Sequence, residues 1–357
     1  EVGRGLKYAL TILNVGRAIS IPAICLGMAK QAWQPTLDHA NTRLTFQRPL
    51  SDRQTQRMRL GRMAVSLFTM EALAFSVWRM ADQHRYDVRI EAAIAKISCS
   101  EKTIQFLKDA QIIFGGMGYE TAESKRVRGE PAFGIEQLVR DAEMYRIGEG
   151  ATDILRPFVA REGVSPHLDR AQRYMNGEVN RGERLVELLK LARIYVPWYM
   201  SLWWGRALPN RTEFHHPRVR QLLSYVEECS RRLACAIFWA MVRHGEQLRD
   251  DQGRQARIET VGEDLLTIAT AALEASSPAR VTSGEPVWDL VDHFVADAQE
   301  RIDRAISELR GHNGDDIPAT IGQRTAGGTY AGLSHGIIPR GLRAYRPTAV
   351  GKQSLLR

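Results

Sequence analysis

The chain has 357 residues, enough for two or three domains, and its 44% hydrophobic and 25% charged residues are ordinary for a globular protein. The net charge of +8 favours acidic ligands or an anionic membrane surface. Nucleic acid is not an expected partner, because no stretch combines a dense basic run with interleaved aromatic residues. The four cysteines are scattered without a CxxC pair, which argues against a disulfide framework and against a zinc site.

The predicted elements of the first half are all helical. Helical periodicity predicts helices near 10–40, 53–83, 86–114 and 136–162, and a polar loop at 120–134. Four long helices with short connections favour an antiparallel bundle. The segment 63–81 is apolar and long enough to suggest a membrane span, but it contains Glu71 and Arg79. Since the neighbouring helices are similarly apolar, we expect a central bundle helix that is buried on all sides.

The second half of the chain is also predicted to be helical. Helices are expected at 176–192, 217–250, 254–276 and 285–310. The last 45 residues are rich in Gly, Pro and Arg and are expected to be irregular. The predicted fold class is therefore all-α, with a four-helix bundle at 1–163, a second helical domain at 164–312 and an irregular tail at 313–357.

The segment 145–156 places one carboxylate, Glu149, between two glycines. Because its neighbours carry no side chains, Glu149 can approach a flat ligand closely. This arrangement suits a carboxylate that removes a proton from a substrate carbon lying against a cofactor ring. A GEG sequence by itself, however, is more often part of an ordinary exposed helix.

Five segments together resemble the C-terminal catalytic half of the acyl-CoA dehydrogenases, in order and at family-like spacing. They are 1–17, 39–54, 91–100, 109–119 and 140–162. The very-long-chain members are the most similar, since they carry a further C-terminal helical domain that 216–276 resembles. The resemblance implies an FAD-dependent enzyme that converts long-chain acyl-CoA to trans-2-enoyl-CoA in fatty-acid β-oxidation.

The resemblance also implies roles for individual residues. Glu149 corresponds to the catalytic base that removes the α proton, and Arg17 to a cation close to that base. FAD in this family lies across a subunit interface, so a homodimer is implied. The residues implied to contact FAD are Arg43, Phe46, Gln54, Gly115, Gly116, Ala151 and Asp153. Arg43 is expected to meet the pyrophosphate, since a guanidinium suits phosphate geometry. No metal site is expected, since the adjacent His215 and His216 point apart.

Four residues depart from the family pattern within the implied site. Gln47, Ile112, Gly148 and Ala151 stand where the family commonly has Gly, Gln, an aromatic residue and Thr. The loop 120–134 is longer than usual. The family's N-terminal helical domain and middle β-domain do not lie within these 357 residues, so the complete site is expected to need further domains. A non-catalytic assembly subunit and a flavin oxidase on the same fold stay open as alternatives.

The expected partners are acyl-CoA and an electron-transfer flavoprotein or a similar acceptor. Tryptophan and tyrosine at 194–205, next to a basic helix, favour peripheral membrane contact through 181–206, with packing inside the protein as the alternative. Pro197 and Gly205 argue against one continuous helix there. Arginine outnumbers lysine by 41 to 8, which indicates bacterial high-GC coding. We therefore expect a cytoplasmic protein, peripheral to the inner membrane, or the mitochondrial inner membrane in a eukaryote.

Overall fold

The computed structural model describes residues 3–83, 87–175, 184–203, 216–311 and 314–334. The chain divides into two units, Glu1–His312 and Asn313–Arg357. Within the described residues the structure is helical, apart from one two-stranded antiparallel hairpin. The all-α fold class is therefore confirmed.

The first unit begins with helices joined by short connections. Helix α1 (Gly5–Val15) continues through a π-helical turn (Gly16–Ser20) into α2 (Ile21–Thr42). The hairpin follows as β1 (Leu44–Thr45) and β2 (Arg48–Pro49), then α3 (Gln54–Asp82) and α4 (Arg89–Phe114). Next come the short helices α5 (Gly116–Tyr119) and α6 (Ala122–Val127), and then α7 (Ile135–Ile147) and α8 (Thr152–Met175).

Two expectations about this region are corrected. The single helix predicted over 136–162 is wrong, because Glu149 and Gly150 take positive φ angles that interrupt the helical backbone between α7 and α8. The loop predicted at 120–134 contains α6, whose N-terminus is capped by Thr121: its side chain accepts a hydrogen bond from the Ser124 amide.

The remaining helices of the first unit follow the predicted order. They are α9 (Arg184–Trp203), α10 (Pro217–His244), α11 (Gln252–Ala275), α12 (Pro278–Ser283) and α13 (Val287–Arg310). The expectation that Pro197 argues against one continuous helix is wrong within Arg184–Trp203, since Pro197 lies inside α9. The first part of the helix predicted at 176–192, residues 176–183, lies outside the described residues. So does Gly205, which was the other residue expected to argue against one continuous helix.

The second unit shows one exception to the irregular tail expected at 313–357. Residues Asp316–Ala326 form helix α14, and a 3-10 turn follows at Ala331–Ser334. The Gly-, Pro- and Arg-rich stretch beyond it, 335–357, lies outside the described residues.

Helix α3 is buried on opposite faces. Its Val65, Phe68 and Ala72 pack in one apolar cluster with α11 and α13, whereas Met63 and Met70 pack in another with α2 and α4. By length and composition alone, Ile12–Thr42 and Gln54–Asp82 could cross a membrane, but 44% and 50% of their most apolar parts are buried inside the protein. The packing therefore accounts for the apolar sequence of α3, as predicted for a central bundle helix.

Helices α10 to α13 form the second helical region of the first unit. Helix α11 lies at its centre and contacts α3, α8, α10 and α13. Its inward side chains form the largest described apolar cluster together with those of α13. The predicted boundary between 163 and 164 falls within α8, and the division of the first unit into two domains stays a prediction.

A buried carboxylate joins this region to α8. Glu259 of α11 is fully buried, and its Oε2 lies 3.3 Å from Nε of Arg156 on α8. Burial raises the pKa of Glu259 to about 8, with a further contribution from Glu263, against the opposing charge of Arg156. The folded protein therefore holds Glu259 protonated at pH values where an exposed glutamate is ionised.

We predict that Glu259 makes the protein less stable as pH rises. In the unfolded chain Glu259 titrates near its ordinary 4.5, so unfolding releases a proton between pH 4.5 and about 8, and stability falls across that window. Glu259→Gln cannot release this proton. Urea denaturation at several pH values should show a flatter profile for Glu259→Gln than for the unaltered protein.

The matched control is Glu123→Gln, because Glu123 lies on α6 with its side chain 69% exposed. This control should keep the pH profile of the unaltered protein. Parallel profiles for Glu259→Gln and the unaltered protein would show that Glu259 is ionised when folded and would refute the prediction.

Candidate functional site

A strained turn between α7 and α8 carries Glu149. Residues Gly148 to Ala151 form the connection, with φ of 56° at Glu149 and 108° at Gly150. A residue with a side chain pays about 1–2 kcal/mol to adopt a left-handed conformation, so the surrounding structure must hold Glu149 there. Such strain is typical of functional sites.

The Glu149 carboxylate lies against the backbone of Gly16 in the π-helical turn. A Cβ atom built on Gly16 would lie 2.5 Å from Cδ of Glu149, which is far inside van der Waals contact. Only glycine therefore leaves room for this carboxylate. Its Oε2 is buried and has no hydrogen-bond partner within the described part of the chain. A buried acceptor without a partner costs free energy and is available to a ligand.

Arg17 contacts Glu149 as the sequence indicated, but through the backbone. Its Nε donates a 2.8 Å hydrogen bond to the carbonyl oxygen of Glu149. Its guanidinium also lies 5.9 Å from the ring centroid of Phe158 on α8. Burial lowers the pKa of Arg17, and the charge of Glu149 partly opposes that shift. Arg17 thus fixes the peptide that carries Glu149 and places a positive charge near its carboxylate.

Lys96 completes this turn and was missed by the sequence analysis. It lies on α4 and is fully buried, and its Nζ donates to the carbonyl oxygens of Gly150 at 2.7 Å and Arg146 at 3.0 Å. The available signal was a lysine within the otherwise uncharged run 92–100 of α4. Such a lysine must have a buried partner.

The start of α8 holds the two other predicted residues near Glu149. Ala151 is half-buried, and its carbonyl accepts from the Leu155 amide at 3.0 Å, within the first turn. Asp153 is exposed on that turn. Between them Thr152 is buried and donates a 2.7 Å hydrogen bond to Glu101 of α4. The structure therefore brings Arg17, Glu149 and Ala151 together and places Asp153 at the adjoining surface.

The hairpin presents a second group of predicted residues. Arg43, Phe46 and Gln54 are all exposed, and Phe46 is 94% exposed at the tip. Phe46 and Gln47 have φ angles of 49° and 62°, which is the pattern of a two-residue turn that favours glycine at its second position. The departure at Gln47 therefore strains this turn.

A cavity of about 510 Å³ lies beside the hairpin. Three of its lining residues are the predicted Arg43, Gly115 and Gly116, whereas Phe46 and Gln54 are not part of its wall. Gly115 has a φ of 61°, and side chains built on either glycine would meet open space. The turn at Gly115 therefore needs its glycine, and the backbone there can be approached closely.

One residue that departs from the family pattern lies on the wall of this cavity. Ile112 is 51% exposed on the cavity surface. Gln111, one position earlier, donates its side-chain amide to the Gly118 carbonyl at 3.1 Å and so closes the loop after α4. The amide at 111 thus has a structural role and is not a substitute for the expected glutamine at 112.

These groups fit the FAD that the resemblance implies. The side chain of Arg43 has no hydrogen bond or ion pair to another described residue, so its guanidinium is available to an anion such as a phosphate. The two glycines allow a ligand to lie against backbone, and Phe46 offers an uncovered aromatic face. The residues present are therefore compatible with a flavin nucleotide.

Comparisons with known proteins agree with this geometry. Residues 3–164 match the family model described as "Acyl-CoA dehydrogenase, C-terminal domain". A probable acyl-CoA dehydrogenase, FadE10, of Mycobacterium tuberculosis is 33% identical over 338 residues, or 94% of this chain and 52% of the relative. The chain thus spans about half the length of that relative. The mitochondrial very long-chain specific acyl-CoA dehydrogenase of Mus musculus is 38% identical over 163 residues, which are 46% of this chain and 23% of that protein.

A solved structure extends the similarity beyond residue 164. The acyl-CoA dehydrogenase from Bacillus anthracis, complexed with FAD, aligns with 95% of this chain and 55% of its own, at a TM-score of 0.63 and 20% identity. This likeness concerns the fold, and it includes both helical regions of the first unit.

We predict that Gly16→Ala displaces the Glu149 carboxylate and destabilises the protein, because the new methyl group would overlap that carboxylate. Overpacking costs about 1–3 kcal/mol, and we expect about 1 kcal/mol here, because the carboxylate ends a half-buried side chain that can move. Gly27→Ala is the matched control: Gly27 lies inside α2 with open space around its Cα, so alanine should stabilise that helix by up to about 1 kcal/mol.

Combining Gly16→Ala with Glu149→Ala tests the cause of that cost. The double variant should recover most of the stability lost in Gly16→Ala, since the overlapping carboxylate is gone. Denaturant unfolding measures all four proteins. Equal behaviour of Gly16→Ala and Gly27→Ala would contradict the predicted contact.

Proposed function

We propose that the chain is the C-terminal part of an FAD-dependent acyl-CoA dehydrogenase, because residues 3–164 match the model of that family's C-terminal domain. The proposed reaction is the α,β-dehydrogenation of a long-chain acyl-CoA to trans-2-enoyl-CoA in fatty-acid β-oxidation. One observation carries the proposal: Glu149 is held in a left-handed turn with its carboxylate against Gly16 and with Oε2 lacking a partner among the described residues.

Glu149 acts as the general base in this proposal. Its carboxylate accepts the α proton of the substrate, and the electron pair of that C–H bond forms the α,β double bond as hydride leaves the β carbon. Bound FAD supplies the acceptor for this hydride. Arg17 places a positive charge near this carboxylate, and the buried position of Oε2 strengthens the attraction between the two groups.

We further propose that FAD is shared between two copies of the protein. Arg43, Gly115 and Gly116 form one wall of the cavity and would hold the phosphate side of the cofactor. Phe46 and Gln54 stand exposed on and after the hairpin, where only a ligand or a partner can cover them. Ala151 and Asp153 would contact the flavin beside Glu149. The reduced enzyme would pass its electrons to an electron-transfer flavoprotein or a similar acceptor.

We also propose peripheral membrane contact through 181–206, in the cytoplasm of a bacterium or at the mitochondrial inner membrane of a eukaryote. Val186, Leu189, Val196 and Met200 recur at helical spacing on α9 and are each at least 39% exposed among the described residues. The ring of Tyr199, in contrast, packs 5.2 Å from the ring of Phe238 on α10. One face of α9 thus packs on the protein, and the other is exposed, with the basic Lys190 and Arg193 among its apolar residues.

Two observations favour a second candidate, a non-catalytic assembly subunit. Gln47 strains the hairpin that would reach the cofactor, and Ile112 offers no hydrogen bond to it. Purified intact protein that is colourless and gains no flavin spectrum with added FAD would support this candidate over the enzyme.

We predict that Leu189→Asp weakens binding of the intact protein to anionic phospholipid vesicles. Leu189 is 60% exposed on α9, and losing a buried leucine costs about 1.5–3 kcal/mol, or roughly a tenfold or greater loss of affinity. Leu333→Asp, at a leucine 87% exposed in the second unit, is the control and should bind normally. Vesicle co-sedimentation measures both, and unchanged binding of Leu189→Asp would rule out contact through this face.

We predict that Glu149→Gln abolishes acyl-CoA-dependent flavin bleaching in the intact protein, because glutamine cannot accept the α proton. A loss of at least about 10²–10⁴-fold is expected for removal of a general base. Bound flavin, measured by absorbance, should stay unchanged. Glu136→Gln, on the neighbouring helix α7, is the control and should bleach normally. Full bleaching by Glu149→Gln would sink the assignment of the base.

A further inference from the structure

We propose that Lys96 is a positioning residue that holds the turn carrying Glu149 in its left-handed conformation. This inference deepens the proposed function and rests on it, since the position of Glu149 matters only if Glu149 acts on a ligand. The hydrogen bonds from Lys96, however, can be tested without any measurement of activity.

The contacts of Lys96 tie the two ends of the turn together. Its Nζ donates to the carbonyl of Arg146, in the last turn of α7, and to that of Gly150, directly after Glu149. The final carbonyls of a helix lack partners within the helix and form the negative end of its dipole, so a buried ammonium is well matched to Arg146. The same ammonium then fixes the peptide that follows the catalytic residue.

Arg17 acts on the adjoining peptide. It donates to the carbonyl of Glu149, so successive carbonyls, at 149 and 150, are each held by a cation from a different helix. The left-handed conformation of Glu149 costs about 1–2 kcal/mol, whereas hydrogen bonds from charged groups contribute about 1.5–3 kcal/mol each. The bonds from Arg17 and Lys96 are therefore enough to stabilise the strained turn, and both donors lie outside it.

Lys96 is unlike a lysine that merely fills space in the core. All nine residues of 92–100 on α4 are buried, and the aliphatic side chains there complete two apolar clusters without help from Lys96. Burying an ammonium is costly unless it is paired, so methionine would serve better if only volume were needed. The ammonium at this position is explained by the two carbonyls that it reaches.

The charges around Lys96 set the pH range of this function. Lys96 faces Cys25 from α2, Arg17 from the π-helical turn, Glu101 from α4 and Glu149 from the turn. Burial lowers the pKa of Lys96 to about 8, and the nearby carboxylates oppose that shift only in part. The charged, strongly donating form of Lys96 therefore holds the turn below about pH 8, and the fraction of molecules that carry this form falls as pH rises through that value.

Amide hydrogen exchange in the intact protein tests the inference. In Lys96→Met, exchange within 146–152 should rise about 10- to 100-fold, the effect of losing 1.5–3 kcal/mol of charge-assisted bonding. Lys96→Arg, which keeps a charged donor, should restore part of the protection. In the unaltered protein, after correction for intrinsic rates, protection of 146–152 should fall as pH rises past 8, and Lys96→Met should lack that transition.

Lys125→Met is the matched control. Lys125 is 1% exposed, and its Nζ likewise donates to two carbonyls, those of Met117, at 2.9 Å, and Phe133. Its replacement should raise exchange around 117–133 and leave 146–152 unchanged. Both replacements remove a buried charge, so the comparison of the two variants separates a general loss of stability from a local effect on 146–152.

Two results would overturn the inference. Unchanged exchange of 146–152 in Lys96→Met would show that the turn holds itself. Equal acceleration across 146–152 and α11 would show that Lys96 supports only the global fold. Either outcome is compatible with Glu149 as the base, since the bleaching experiment with Glu149→Gln decides that assignment separately.

Discussion

The close approach of the Glu149 carboxylate to the backbone of Gly16 is the constraint on which the site depends. It requires a glycine in the π-helical turn and a left-handed backbone at Glu149. The left-handed backbone is not stable locally, and it is held by the half-buried Arg17 and the buried Lys96, which reach the turn from other helices. The position of the carboxylate is therefore determined by the packing of the bundle and not by the loop that carries it.

The segments of α3 and α4 that support this arrangement are buried on most sides. Helix α4 supplies Lys96 and is buried along most of its length, and α3 packs against apolar clusters on opposite faces. Glu71, a charged residue in the apolar segment of α3, also connects helices. It pairs with Lys30 of α2 at 2.6 Å and with Arg280 of α12 at 3.0 Å. The residue that argued against a membrane span is thus the one that joins α3 to both helical regions.

The sequence predicted the helices well because their periodicity and turn residues are local signals. It also predicted that Arg17 and Glu149 lie together, through the resemblance of two segments far apart in the chain. It did not predict the break at 148–151, because the positive φ of Glu149 is imposed by tertiary contacts with Gly16, Arg17 and Lys96. Lys96 itself looked like an ordinary helical lysine. Its role depends on the burial of α4 on every side over 92–100, which the periodicity of the sequence does not show.

The departures from the family pattern act on different properties of the site. Gly148 has φ of −61° and ψ of 145°, which any residue can adopt, and a Cβ there would lie 3.3 Å from the Met144 carbonyl oxygen. Its φ and ψ angles thus do not require glycine, but a Cβ would be in tight contact with that carbonyl oxygen. Gln47, in contrast, strains a turn that favours glycine. The Glu149 carboxylate keeps its neighbours Gly16, Arg17 and Lys96 in either case. The departures therefore act on the hairpin and on the turn before Glu149, while the contacts that hold Glu149 are intact.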